Sequence, residues 1–324
     1  MASFPNPINC SFPIIHPLEQ RSVQTKENTE ETHNIFTKKS FKERFSVPKL
    51  ERTTSQPQPF QGTCADCISK IEATVHSTID NMDFDGLKPF IKTIDLMQKG
   101  ETSTEEWIVD VQNGANGGIC VGMSLAHINN IRDKHSIEGT LAVEKDKSQE
   151  FHHAAVIIEC QDGLVFIDNR PVPKMRLFSI AFNSTFEDKD FSITVSPRGI
   201  SPPLIFNWPD KRLEYYTDIA NGVDIVNKQF MPFAISQFIP IAVYAKDGKT
   251  KKDIIIKPGE ARVRLMNHTN QEKRYISFED ILKNGLIKEL KEFMGSDFHT
   301  SPQDANDEII KFVSHAEELK EMFT

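Results

Sequence analysis

Two apolar runs, residues 154–159 and 164–167, are separated only by Cys160-Gln161-Asp162-Gly163, and no other feature of the chain restricts its fold as tightly. Short runs rich in Val and Ile, broken by a polar segment that ends in glycine, read as the two strands of a β-hairpin. A hairpin of this kind fixes register. With those four residues as the turn, Ala155 stands opposite Asp168. His153 is then a diagonal neighbour of Asp168 on the same face, within side-chain reach once the strands twist. Strand alternation sends His152 to the other face, beside Val156 and Ile158. A slip of one residue exchanges the two histidines.

The elements around the hairpin follow from periodicity. Apolar residues at spacings of three and four predict helices over 64–79, with Ile68, Ile71, Val75 and Ile79 inward, and over 87–97. A third helix is expected over 103–111, with Trp107 facing in, and a fourth begins at Cys120. Further strands are expected at 139–143, 192–195, 239–244, 253–256 and 261–266, with a long irregular connection punctuated by Pro202-Pro203 and Trp208-Pro209. Two helices, 278–294 and 302–322, close the chain. Helices, then strands, then helices indicate an α+β domain.

Residues 1–60 are rich in Pro, Ser, Thr, Gln, Asn, Lys and Glu. Such a segment buries too little apolar surface to offset its ordering entropy, so it is expected to be disordered. The folded body is placed at 61–324, with 113–170 as its catalytic core. A net charge of −8 argues against generic affinity for nucleic acid or anionic membranes. No apolar run is long enough to span a bilayer. Pro5, Pro7, Pro13 and Pro17 interrupt any secretory signal-peptide pattern. Five cysteines, an odd number, do not make a disulfide framework, and the expected working compartment is a reducing one.

Cys120 ends the glycine-rich run Asn116-Gly117-Gly118-Ile119 and heads a helix. A thiol there meets the positive end of the helix dipole and unpaired backbone N–H groups, both of which favour thiolate. Cysteine is often only a buried space-filler. Here the glycines permit the close backbone approach that an oxyanion site needs, which favours a nucleophile. His153 is the matching base, and Asp168, at the end of the second hairpin strand, is the group that orients it. Asn169 is an alternative for that last role. Other motifs carry less. Cys64-x-x-Cys67 has metal-like spacing, but no second Cys/His pair follows, so it reads as a helix turn. The pairs Asp83/Asp85 and Asp188/Asp190 lack full calcium-loop spacing. Ser124 lacks a glycine elbow.

Taken together, Gly117-Gly118-Ile119-Cys120 before a helix, His153-Ala154-Ala155-Val156-Ile157-Ile158-Glu159, and Leu164-Val165-Phe166-Ile167-Asp168-Asn169 resemble the papain-like superfamily. The resemblance is to its transglutaminase-like and bacterial effector branch of thiol proteases and protein-glutamine deamidases, and it covers about 113 to 170. Val121 stands where transglutaminases usually carry an aromatic. The resemblance implies a papain-like core and a Cys120–His153–Asp168 triad, with the Cys120 N–H and Gln112 or Asn113 as oxyanion donors. It also implies a protein substrate attacked at an amide, a host protein if the chain is a secreted effector whose N-terminal segment is the export signal. No metal or organic cofactor is expected. Two rivals stand beside this reading: transglutamination or ubiquitin-directed thiol chemistry, and a catalytically silent partner-binding protein on the same fold.

Overall fold

The computed structural model describes residues 58–323, apart from 81, 100–118, 146–150, 169–176, 188–191, 208–211, 218–229 and 245–249. The expected tail, the helix over 103–111, and Gln112, Asn113 and Asn169 lie outside the described residues, residues 58–60 of the tail excepted.

The described chain begins with helix α1 (Cys64–Asp80), the short strand β1 (Phe84–Asp85), α2 (Lys88–Lys99) and α3 (Cys120–His135). Strands β2 (Thr140–Lys145), β3 (Phe151–Glu159), β4 (Gly163–Ile167), β5 (Leu177–Ala181), β6 (Ser184–Glu187), β7 (Ser192–Val195), β8 (Leu204–Asn207) and β9 (Arg212–Thr217) follow. Helix α4 (Met231–Ser236) precedes β10 (Ile239–Tyr244), β11 (Thr250–Lys257), β12 (Arg262–Asn267) and β13 (Glu272–Ser277). The chain closes with α5 (Phe278–Asn284), α6 (Ile287–Met294), α7 (Pro302–Ser314) and α8 (Ala316–Phe323). This is an α+β architecture: helices, antiparallel sheets, then C-terminal helices.

Strands β2–β9 form one antiparallel sheet in the order β5-β4-β3-β2-β9-β8-β7-β6. In a flat sheet β4 and β8 would lie four strand spacings apart, about 19 Å. Yet the rings of Phe166 on β4 and Phe206 on β8 are 5.6 Å apart, and Phe178 on β5 is 6.4 Å from Phe206. The sheet therefore rolls on itself. Its interior is filled by Ala142, Ala155, Ile157, Phe166, Phe206, Tyr215 and their neighbours. Burying each such aromatic contributes about 1.5–3 kcal/mol. Residues of the other parity point outward. Val156, Ile158, Val165 and Ile167 meet Ile71 and Val75 of α1, while Leu141, Val143 and Ala154 meet Val121 and Leu125 of α3. Helix α3 thus lies on the outer face of the strands that carry the hairpin. The second sheet, β1-β10-β11-β12-β13, lays its Ile and Val residues on the same core as α2 and α4 to α8.

The hairpin has the expected register. Glu159 pairs with Leu164 and Val156 with Ile167, and Cys160 N–H donates to the Gly163 carbonyl at 2.9 Å. Gly163 is required there, since a Cβ would sit 2.2 Å from the carbonyl oxygen of Ile180. Three expectations need correction. The irregular connection around Pro202 and Trp208 contains β8 and β9, each alternating between buried and less buried positions, and too short for period to announce them. The helix expected over 278–294 breaks at Gly285, whose φ is 70°, and the Leu286 N–H is taken by Asn306 Oδ1 at 2.7 Å. The helix expected over 302–322 is interrupted at His315.

Candidate active site

Cys120 is the first residue of α3, and extended Ile119 (φ −81°, ψ 178°) precedes it. The first amides of any α-helix have no intrahelical acceptor, and Ile119 has no polar side chain to cap them. The head of a helix also carries the positive end of its dipole, so Cys120 stands where negative charge is favoured. The thiol itself is only partly buried.

His153 is held from the opposite direction. The β2–β3 ladder runs in register from Thr140–Ile157 to Glu144–His153, then shifts, so that Lys145 pairs with Phe151 and His152 becomes the extra residue of a bulge. Bulges of this kind bend a strand and re-aim side chains, and they are common beside active sites. The simple alternation expected for His152 and His153 therefore ends at His152, whose side chain lies outside the described residues. From His153 onward the parity holds, and Ala155 and Ile157 line the sheet interior. Asp168 follows the last residue of β4, one step beyond the Val156–Ile167 pair and so opposite Ala155. Its Oδ1 lies 2.7 Å from His153 Nε2.

Both members of this pair are buried, with His153 at 7% and Asp168 at 2% exposure, so the contact is screened little by water. Burial on its own would lower the His153 pKa. The Asp168 carboxylate outweighs it, and the Cys120 thiol adds a hydrogen bond and a charge interaction, so that His153 is held well above the ordinary histidine value. The structure thus brings Cys120, His153 and Asp168 into one chain of contacts: a partly buried thiol, a buried ring, and a buried carboxylate behind it.

Two further residues adjoin it. Glu144 on β2 stands directly opposite His153 on one side and Tyr215 on the other. Both are buried, and the Tyr215 hydroxyl donates to Glu144 Oε2 at 2.8 Å. One signal in the sequence could have found Glu144, a lone acid in the apolar run Leu141-Ala142-Val143-Glu144. Of the other residues singled out by sequence, Cys64 and Cys67 lie on the first turn of α1, at the turn end of the hairpin. Asp83 precedes β1 and Asp85 is its last residue, and Ser124 is buried within α3. Among the described residues no group of three or more His, Cys, Asp or Glu is arranged to hold a metal ion, and no helix is long and apolar enough to cross a membrane.

No protein-family model matches the chain, and no curated protein matches it. Among solved structures it is similar to arylamine N-acetyltransferases of Mycobacterium smegmatis, Mycobacterium tuberculosis and Mycobacterium marinum, at 9%, 10% and 10% identity. The alignments cover 80%, 80% and 78% of this chain and 93%, 96% and 95% of those chains, with TM-scores of 0.42, 0.41 and 0.40. Scores of this size leave the chemistry to be argued from the residues of this chain.

Proposed function

We propose that the chain is a thiol-dependent acyl-transfer enzyme acting on an amide of a protein substrate, as a cysteine protease or a protein-glutamine deamidase. The observation that carries this reading is the position of His153, buried between the Cys120 thiol and the Asp168 carboxylate. Cys120 Sγ attacks the amide carbonyl carbon, and the developing oxyanion is met by the backbone amides at the head of α3. The C–N bond then breaks as His153 passes its proton to the departing amine or ammonia, leaving a thioester on Cys120. Water, deprotonated by His153, attacks the thioester, releases the acid and returns the thiol. Asp168 holds the ring through its bond to Nε2 and offsets the positive charge that forms there. A nucleophilic thiol must stay reduced, which suits work in a reducing cytosol, including a host cytosol reached as a secreted effector.

Two measurements test the reading. Iodoacetamide should label Cys120 at least tenfold faster than Cys64, Cys67 or Cys160, because Cys120 is only partly buried and the other three are buried. A lysate treated with the wild type and with Cys120→Ala, compared by mass spectrometry, should show either cut chains or glutamines gaining the small mass of deamidation in the wild type alone. Equal labelling of all four thiols together with an unchanged lysate would make the chain a binding module.

A further inference from the structure

Three of the five thiols of the chain meet at the opposite end of the hairpin from His153. Cys64 and Cys67 lie on the first turn of α1, and Cys160 follows the last residue of β3. All three are buried in one cluster with Ile71, Val156 and Ile158. The Cys160 thiol hydrogen-bonds to Cys64 on one side and Cys67 on the other, and all three are free. Their meeting is set by backbone. Phe60 N–H donates to the Glu159 carbonyl at 2.8 Å, and Gln161 N–H to the Gly62 carbonyl at 3.0 Å. Cys64 N–H donates to Asp162 Oδ1 at 2.7 Å. The segment entering α1 is thereby sewn to the hairpin turn.

Core packing alone does not ask for this. One buried cysteine is a small apolar filler, but three thiols in mutual contact are a reactive group. Metal binding is not the explanation, since no metal-holding arrangement occurs among the described residues. We propose that Cys64, Cys67 and Cys160 form a peroxide-responsive staple, in which Cys160 closes a disulfide with a thiol of α1 and ties that helix covalently to the β3–β4 turn.

The chemistry balances in two steps. A thiolate sulfur attacks one oxygen of hydrogen peroxide, the O–O bond breaks, and a sulfenic acid and water result. The second thiol attacks the sulfenic sulfur, the S–O bond breaks, and a second water leaves as the disulfide forms. Two thiols have been oxidised and one peroxide reduced. Cys67 is suited to begin, because the hydrogen bond from Cys160 holds it below the usual thiol range against the effect of burial. Cys64 is pushed up by its bond to Cys160 and by burial. Cys160 lies between the two, so the third thiol can attack the finished disulfide and exchange with it. The staple closes a loop of about 95 residues, long enough to restrict the unfolded chain strongly. His153 and Asp168 lie on the same hairpin about 20 Å away along the strands, so the staple acts on stability rather than on the proposed chemistry.

The test uses the full chain carrying Cys120→Ala, which removes the other reachable thiol. It is treated with hydrogen peroxide, its remaining thiols are alkylated, and it is digested without reduction for mass spectrometry. The expected product links the peptide containing Cys64 and Cys67 to the peptide containing Cys160. It persists when Cys64→Ser is added, and forms more slowly when Cys67→Ser is added, since the thiol suited to begin is then missing. It disappears with Cys160→Ser, and with the double change Cys64→Ser/Cys67→Ser, which guards against misfolding of the Cys160 variant. Oxidation should raise the thermal midpoint by several degrees, reversibly with dithiothreitol, wherever the link forms. A Cys64–Cys67 bridge, a link from Cys160 to Cys10, sulfinic acids with no link to Cys160, or a link that leaves the midpoint unmoved would each overturn the proposal.

Discussion

Replacing Asp168 by alanine leaves the His153 ring buried, polarised and without its carboxylate. The side chains of the pair are only 9% and 3% exposed, so the cost belongs to the range for breaking a buried ion pair, about 3–5 kcal/mol, and not to the ~0–1 kcal/mol of surface pairs. Asparagine, which keeps shape and one acceptor, should cost less, about 1.5–3 kcal/mol, the worth of a hydrogen bond to a charged partner. The pH dependence has a definite sign. His153 is raised in the folded state, so its contribution is fully present below the unfolded value near 6.5 and is lost as pH rises through the folded value. The Asp168→Ala penalty should therefore shrink toward alkaline pH. The assay is urea unfolding of wild type, Asp168→Ala, His153→Ala and the double variant at pH 6, with turnover measured alongside. The double variant should lose markedly less than the sum of the singles, and turnover should fall about 10²- to 10⁴-fold for Asp168→Ala, as for an orienting carboxylate. A loss below about 1 kcal/mol with additive singles would place this pair in the surface regime and refute the reasoning from burial.

Three further outcomes follow from other parts of the molecule. Burial carries the Asp85 carboxyl from 3.8 up to about 7, with Glu308 and Asp83 adding to the effect and Lys88 opposing it. The folded state thus favours the protonated acid, and stability falls as pH rises from about 4 to 7, by about 4 kcal/mol at 1.36 kcal/mol per unit. Denaturation across that range should show the difference between wild type and Asp85→Asn growing with pH, and a constant difference would contradict the burial argument. His153→Ala should abolish turnover, whereas His152→Ala should leave it within about fivefold, since His153 contacts both Cys120 and Asp168. The reverse result in one assay would move the base to His152. Gly163→Ala should lower stability by more than the ~1 kcal/mol typical of point substitutions, because its Cβ would meet the Ile180 carbonyl; an unchanged unfolding midpoint would show that β5 yields there.

What could be read in the sequence was local. The hairpin declared itself because a four-residue turn between β-branched runs leaves one register, and that register alone puts His153 beside Asp168. The head of α3 was visible in the glycines before Cys120. Strands β8 and β9 were not, because four to six residues of alternation do not stand out beside Pro202, Pro203 and Pro209. The break at Gly285 depends on Asn306, a side chain from a different helix, so a periodic reading of 278–294 had no access to it. The thiol cluster was not legible for the same reason: Cys64-x-x-Cys67 is the helix turn its spacing indicates, and nothing local points to a third thiol. Its third member, Cys160, is brought to Cys64 and Cys67 only by tertiary contact.

The bulge at His152 explains how one strand serves two incompatible purposes. Along most of β3 the inward residues are apolar, and the rolled sheet is packed with rings, Tyr215 standing edge-on to Phe166 at 5.2 Å. At its end the same inward face carries Glu144, His153 and Asp168, groups that cost several kcal/mol to bury unless each finds a partner. They do find partners, and Tyr215 is the joint. Its ring belongs to the aromatic interior while its hydroxyl donates to Glu144. The extra residue at His152 lets the ladder shift at the point where packing gives way to polar contacts, so His153 can reach toward Cys120 without disturbing the register that holds Ala155 and Ile157. A bulge with no such role would loosen the ladder beside a buried charge and gain nothing for folding. Its position, one residue before the ring that joins thiol and carboxylate, is therefore better explained by the site than by the sheet.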